Sequence, residues 1–221
     1  MTPGLALRLA IASALLAPAA AGFTPARYLS GSPPAIAVRA VGGGQVFVEL
    51  TIDEAGRVAA VTPLRDTPPF TPDVVAAVRG WTFTPAVEQK PNDRGDAVTR
   101  SVESKVLVAA MYRPPSLNAP TFGEPSKNVA PPSPDVALPA STVSPLFPPN
   151  ALFDGTVLLE CHVGADGRLL DVKVLQSNPA FERSALDAIH QWSFRPARHD
   201  GQPVDAYTYV SFAFRQPVTG E

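Results

Sequence analysis

The sequence predicts an α+β protein of two β-β-α-β units. Each unit is a small antiparallel sheet with one helix on one face, and a proline-rich linker joins the two. Three observations predict this fold: an internal repeat, a change from strand to helix periodicity within each copy, and eight prolines in residues 113–143 between the copies. We place domain 1 at residues 44–112, the linker at 113–143 and domain 2 at 144–216, with a tail at 217–221.

The repeat superimposes residues 44–86 on residues 155–197 without a gap, every position shifted by 111. Fourteen of 43 positions are identical. Repeats of this size indicate two copies of one folding unit. The identities are Gly44/Gly155, Val46/Val157, Glu49/Glu160, Gly56/Gly167, Arg57/Arg168, Val61/Val172, Leu64/Leu175, Pro68/Pro179, Phe70/Phe181, Ala77/Ala188, Trp81/Trp192, Phe83/Phe194, Pro85/Pro196 and Ala86/Ala197.

Each copy begins with a predicted hairpin. In residues 46–52 and 157–163 apolar side chains occupy alternate positions, as in a half-buried strand. A four-residue turn follows and ends in Gly56 or Gly167, since glycine adopts the positive φ that closes such a turn. A second alternating strand leaves the turn.

A helix is predicted next, and it ends in the motif Trp-x-Phe-x-Pro-Ala. Apolar residues after position 180 recur at helical spacing, and Pro85 or Pro196 prevents the helix from continuing. We expect the two tryptophans to pack in the core at the helix end. The predicted structural residues are Gly56, Trp81, Phe83, Pro85, Gly167, Trp192, Phe194 and Pro196.

A last strand completes each unit, at residues 101–110 and 206–214. In the second copy Tyr207, Tyr209 and Ser211 alternate with inward residues, and exposed aromatic side chains on an edge strand are a binding signal. Ordinary β-propensity explains tyrosine there equally well. The predicted partner-binding edge consists of Tyr207, Thr208, Tyr209, Val210, Ser211 and Phe212.

Composition excludes several classes of function. The net charge is −2 with no basic block, which argues against nucleic-acid binding. The single cysteine, Cys161, lies on the apolar face of its strand and is expected to be inert core filler. The three histidines lack metal-ligand spacing. We therefore predict no catalytic residues, no metal, no cofactor and no small-molecule substrate, and a protein that is not an enzyme.

The N-terminus resembles an export signal. Arg8 precedes an uncharged apolar run, and three alanines at 19–21 suit a signal peptidase. We expect a signal peptide at residues 1–21, a lead-in at 22–43 and a periplasmic protein. The alternative is an uncleaved anchor in the inner membrane that faces the periplasm.

The motifs resemble the C-terminal domain of TonB-family energy transducers, in two tandem copies. The second copy supplies Phe147-Pro148, the strand from Gly155, Asp166-Gly167-Arg168 and the motif that begins at Trp192. The resemblance implies a domain that captures an extended segment of an outer-membrane transporter by β-strand addition.

The expected function is thus a periplasmic binding or adaptor protein of TonB-dependent transport. Its expected partners are an outer-membrane TonB-dependent transporter or another envelope protein. The alternative is a structural, self-associating envelope protein that uses the same sheet edges to form a homodimer. Without an anchor the protein could not transmit force.

Overall fold

The computed structural model describes residues 22–36, 42–114 and 126–216. The predicted signal peptide and the tail at 217–221 lie outside these residues. Among the described residues, no helix is long and apolar enough to cross a membrane.

The fold is mixed α+β, as predicted, and consists mostly of strands. The first half contains β1 (Phe23–Thr24), β2 (Arg27–Ser30), β3 (Gly44–Ile52), β4 (Val58–Asp66), α1 (Phe70–Val78), β5 (Thr82–Thr84), β6 (Ala86–Pro91), β7 (Ala97–Val102) and β8 (Ser104–Tyr112). The second half contains β9 (Lys127–Asn128), β10 (Leu138–Ser141), β11 (Gly155–Val163), β12 (Leu169–Gln176), α2 (Glu182–Ile189), β13 (Ser193–Arg195), β14 (Ala197–His199), β15 (Gln202–Val204) and β16 (Ala206–Phe214).

The long strands form one sheet of seven, in the order β12-β11-β16-β8-β3-β4-β9. The prediction of two separate small sheets is therefore wrong. Within each half the strands pair antiparallel, but the two final strands, β8 and β16, pair parallel and join the halves. We call β3 to β8 unit 1 and β11 to β16 unit 2.

The parallel pairing of equivalent strands puts the helices on opposite faces of the sheet. A rotation about an axis along β8 and β16 exchanges the units and inverts the faces. Accordingly, α1 packs in a core with the apolar side of β3, and α2 packs in another with the apolar side of β11. Each core also receives residues from the outer face of the other unit: Leu107 and Met111 join the α2 core, and Leu158 and Tyr209 join the α1 core.

Each unit contains more strands than the predicted β-β-α-β. A short strand, β5 or β13, follows the helix, and a hairpin precedes the final strand. The hairpin β6-β7 is longer than β14-β15, with Ala86 opposite Val102 in one and Ala197 opposite Val204 in the other. Because the first hairpin is longer, the constant shift of 111 between the two copies no longer holds at the final strands, β8 and β16.

The segments before each unit cross the sheet as straps. In the lead-in strap, residues 22–36, strand β2 pairs with β5. In the linker strap, residues 126–143, strand β10 pairs with β13. Ala26, Val136 and Ala137 are buried. The predicted linker is thus not a plain spacer over residues 126–143, because Val136 and Ala137 are buried in the α2 core.

Candidate partner-binding edge

The predicted binding strand lies inside the sheet. Residues 206–214 pair with β11 on one side, and residues 208–213 pair with β8 on the other. The prediction that residues 207–212 form an edge is wrong, because long-range pairing between the units uses the backbone groups that a partner would need.

The two tyrosines are covered by the lead-in strap. Tyr209 is fully buried; its hydroxyl accepts a hydrogen bond from Tyr28 N at 2.8 Å and donates one to Glu160 at 3.4 Å. Burial raises the pKa of Tyr209 well above its ordinary value. The ring of Tyr207 stacks on that of His162 with centroids 5.0 Å apart, and the Arg27 guanidinium lies 5.1 Å from its centroid.

The other predicted binding residues are also buried. Thr208 donates a hydrogen bond to Ala137 O of the linker strap at 2.6 Å. Val210 and Phe212 lie in the α2 core, and Ser211 is buried on the opposite face. The alternation predicted for this strand is present. Both of its faces are nevertheless covered, because the strand lies inside the fused sheet and the straps pack over it.

Two equivalent glutamates anchor the straps, and sequence reasoning gave them no role. Glu160 in unit 2 accepts hydrogen bonds from Arg27 Nε and Nη2 at 2.9 and 2.7 Å, and this interaction raises the pKa of Arg27. Glu49 in unit 1 accepts Ser133 N–H at 2.9 Å and pairs with Lys105 at 3.0 Å. Each glutamate therefore holds the strap of the other unit. The sequence did contain a signal for this role: both copies have the same glutamate within an otherwise apolar strand, and a buried charge requires a partner.

The repeated motifs hold each strap on its own unit. Trp81 Nε1 donates to Ser32 O at 2.8 Å, and Trp192 Nε1 donates to Val143 O at 2.9 Å. Both tryptophans are buried beside Phe83 or Phe194, and Pro85 and Pro196 separate β5 from β6 and β13 from β14. The strap residues Ser32 and Val143 obey the same shift of 111, so the structural equivalence begins upstream of Gly44.

Cys161 is fully buried on the α2 side of β11. Burial raises the pKa of its thiol, so the reactive thiolate is disfavoured. Its predicted place in the core is confirmed.

One group of possible metal ligands exists in the described chain, formed by Glu88, His199 and Asp200 within 4.8 Å of one another. Lys90 Nζ lies 2.7 Å from Glu88 Oε1 and 3.1 Å from Asp200 Oδ2, and Arg100 lies 3.3 Å from Glu88 Oε2. The Lys90 ammonium already occupies the position between the two carboxylates. The group is an ion-pair network between the units.

The outer strand β12 has a free backbone edge in the described structure. It ends the sheet beyond β11, whereas the equivalent outer strand of unit 1, β4, is extended by β9. On the α2 side Val172 and Val174 are half-buried at the margin of the core. On the other face Asp171 and Lys173 are exposed. An edge with one apolar and one charged face can accept another extended segment.

The second unit matches a known protein family. Residues 148–216 match the family described as Gram-negative bacterial TonB protein C-terminal. The chain is 34% identical over 84 residues to Protein TonB of Vibrio cholerae, which covers 36% of this chain and 34% of that protein. It is 32% identical over 77 residues to Protein tonB2 of Pseudomonas aeruginosa. That match covers 33% of this chain and 28% of that protein. The chain thus spans about a third of the length of these curated relatives. The predicted resemblance is confirmed for residues 148–216 by this match; for unit 1 it stays a prediction.

Proposed function

We propose that this chain is a TonB-like adaptor of the cell envelope, working in the periplasm in TonB-dependent transport. In this proposal β12 captures an extended segment of an outer-membrane transporter or another envelope protein by β-strand addition. The family match of residues 148–216 supports the transport role, and the free edge of β12 supports the mode of binding.

The observation on which the proposal rests is a strand addition within the molecule itself. Lys127 and Asn128 form β9 by pairing antiparallel with Asp66 and Arg65 on the outer edge of β4, and Val129 N donates to Leu64 O at 2.9 Å. The outer strand of this unit therefore accepts an extended segment. The equivalent positions on β12, Leu175 and Gln176, have no such neighbour among the described residues.

Hydrogen exchange on the full chain tests the proposal. We expect peptides of the periplasm-facing N-terminal segments of outer-membrane transporters to slow amide exchange in residues 169–176, because strand addition satisfies their free N–H groups. Residues 208–213, already paired on both sides, are expected to show no change and serve as the internal control. Protection elsewhere, or none at saturating peptide, would contradict capture at β12.

The same edge also favours a second candidate function, self-association. If two copies pair β12 antiparallel about Val172, Asp171 of one copy faces Lys173 of the other, so residues 171–173 are self-complementary. Sedimentation velocity separates the candidates. A concentration-dependent dimer that Lys173→Asp abolishes supports self-association, and a monomer at all concentrations excludes it.

A further inference from the structure

The outer strand of unit 1 is closed to a partner in two ways. Pro63 stands where β12 has Val174, next to an irregularity in the pairing of β4 with β3, and proline has no N–H to donate. The backbone of β4 therefore has one donor fewer than that of β12 at this position. Its end, at Arg65 and Asp66, is already paired with β9.

The outer strand of unit 2 lacks both of these features. Residues 169–176 contain no proline, and the described chain places no strand beside them. Val172 and Val174 on β12 and Leu186 on α2 are half-buried around one margin of the core. A segment laid along β12 would cover this margin if its side chains on the α2 side are apolar.

The opposite face of β12 contains two charges in a fixed order. Asp171 and Lys173 are two residues apart and so point to the same side. They lie across from His162 and Glu160 on β11, and in the part of the chain that the structure describes no ion pair joins either charge to that strand. The equivalent residues of β4, Ala60 and Thr62, are uncharged. Opposite charges directly across two antiparallel strands stabilise the pair, and like charges destabilise it.

From these observations we propose that only unit 2 captures a partner, and that its edge selects an extended segment with consecutive acidic, apolar and basic residues. The segment runs antiparallel to β12, as β9 runs to β4. Its acidic residue lies opposite Lys173, its apolar residue opposite Val172 and its basic residue opposite Asp171. This inference rests on the proposed function, whose capture site it makes specific.

Two labelled seven-residue peptides that differ only in charge order test the selection. One has Glu-Val-Lys at its centre and the other Lys-Val-Glu, within the same valine and threonine flanks. We expect the full chain to bind the first about tenfold more tightly in fluorescence anisotropy, since two cross-strand charge pairs change from favourable to unfavourable. Salt is expected to reduce this preference because the charges are exposed.

Exchanging the two charges of β12 gives the decisive variant. Asp171→Lys combined with Lys173→Asp is expected to reverse the peptide preference. The matched control in unit 1, Ala60→Lys combined with Thr62→Asp, is expected to leave it unchanged. Pairing of β12 with a second copy would survive the exchange of both charges, because the strand stays self-complementary, so reversal also separates peptide capture from self-association.

A further variant tests which unit binds. Val174→Pro gives β12 the proline that β4 contains at Pro63, and we expect loss of peptide binding with unchanged circular dichroism. Binding that persists in this variant would overturn the assignment to unit 2. Equal affinity for both peptides would overturn the charge selection and leave capture at the edge intact. Binding of neither peptide would contradict capture itself.

Discussion

At the scale of single residues, two glycines show why the hairpin and the Trp-x-Phe motif occur together in each copy. Gly56 and Gly167 have φ of +78° and +81°, in the left-handed region. A Cβ on Gly56 would lie 2.0 Å from Phe83 O, and one on Gly167 would lie 2.6 Å from Phe194 O. The turn therefore packs directly on the backbone of the motif, and glycine satisfies both requirements.

Alanine at these turns is expected to destabilise the protein by different amounts. We expect Gly56→Ala to lower the free energy of unfolding by about 3 kcal/mol and Gly167→Ala by about 2 kcal/mol, because backbone strain adds to a steric clash. Gly95→Ala is the control, since Gly95 has φ +85° but no atom within 4 Å of an added Cβ. There we expect about 1 kcal/mol from strain alone. Equal losses in urea denaturation of all three variants would contradict the role of the close approach.

Glu49 and Glu160 belong to the same scale, and they mark a limit of sequence reasoning. Their identity in the repeat was visible, and so was their position within an apolar strand. Their partners, Ser133 and Arg27, are distant in the sequence and lie in segments predicted as a spacer and a lead-in. No periodicity links residues that meet only because a strap crosses the other unit.

At the scale of elements, the two hairpins before the final strands meet at equivalent positions. Glu88 on β6 and His199 on β14 are related by the shift of 111, and Glu88 Oε1 lies 2.8 Å from His199 Nε2. The ring of Phe23 on β1 stacks on His199 with centroids 4.0 Å apart. Equivalent residues touch only near the axis that relates the units, so this contact lies close to that axis.

The pKa of Glu88 predicts a loss of stability in acid. Hydrogen bonds from Lys90 and then His199 lower that pKa from 4.5 to about 2. A depressed folded-state pKa gives stability that is complete above the unfolded value and is lost as pH falls from about 4.5 towards 2. We expect the urea midpoint of the wild type to fall more over this range than that of Glu88→Gln. Parallel pH profiles for the two proteins would show that the carboxylate does not contribute.

At the scale of the whole molecule, the units share a sheet and both cores, so they are expected to unfold together. Trp81 and Trp192 lie in different cores and report on different units. In Trp192→Phe the remaining fluorescence reports unit 1, and in Trp81→Phe it reports unit 2. We expect each variant to give the same urea midpoint by fluorescence and by circular dichroism, as for a two-state transition. Midpoints that differ within a variant would indicate independent units.

The sequence alone determined the composition of each unit. Alternation predicted the long strands, helical spacing predicted α1 and α2, and the shared glycines and Trp-x-Phe motifs predicted the turns and helix ends. These features depend on local side-chain periodicity and backbone preference, which neighbouring residues record. The resemblance of residues 148–216 to the TonB C-terminal family followed from the same motifs.

Tertiary structure alone decided which strand is free. The pattern of β16 predicts a strand with one polar face, and it is the same whether the strand is an edge or an interior strand. Pairing with β8 closed its backbone, and the lead-in strap buried Tyr209. Strand order depends on hydrogen bonds between residues far apart in the chain, and local sequence does not encode it. For that reason the candidate site moved from β16 to β12, whose outer backbone groups have no neighbour in the described structure.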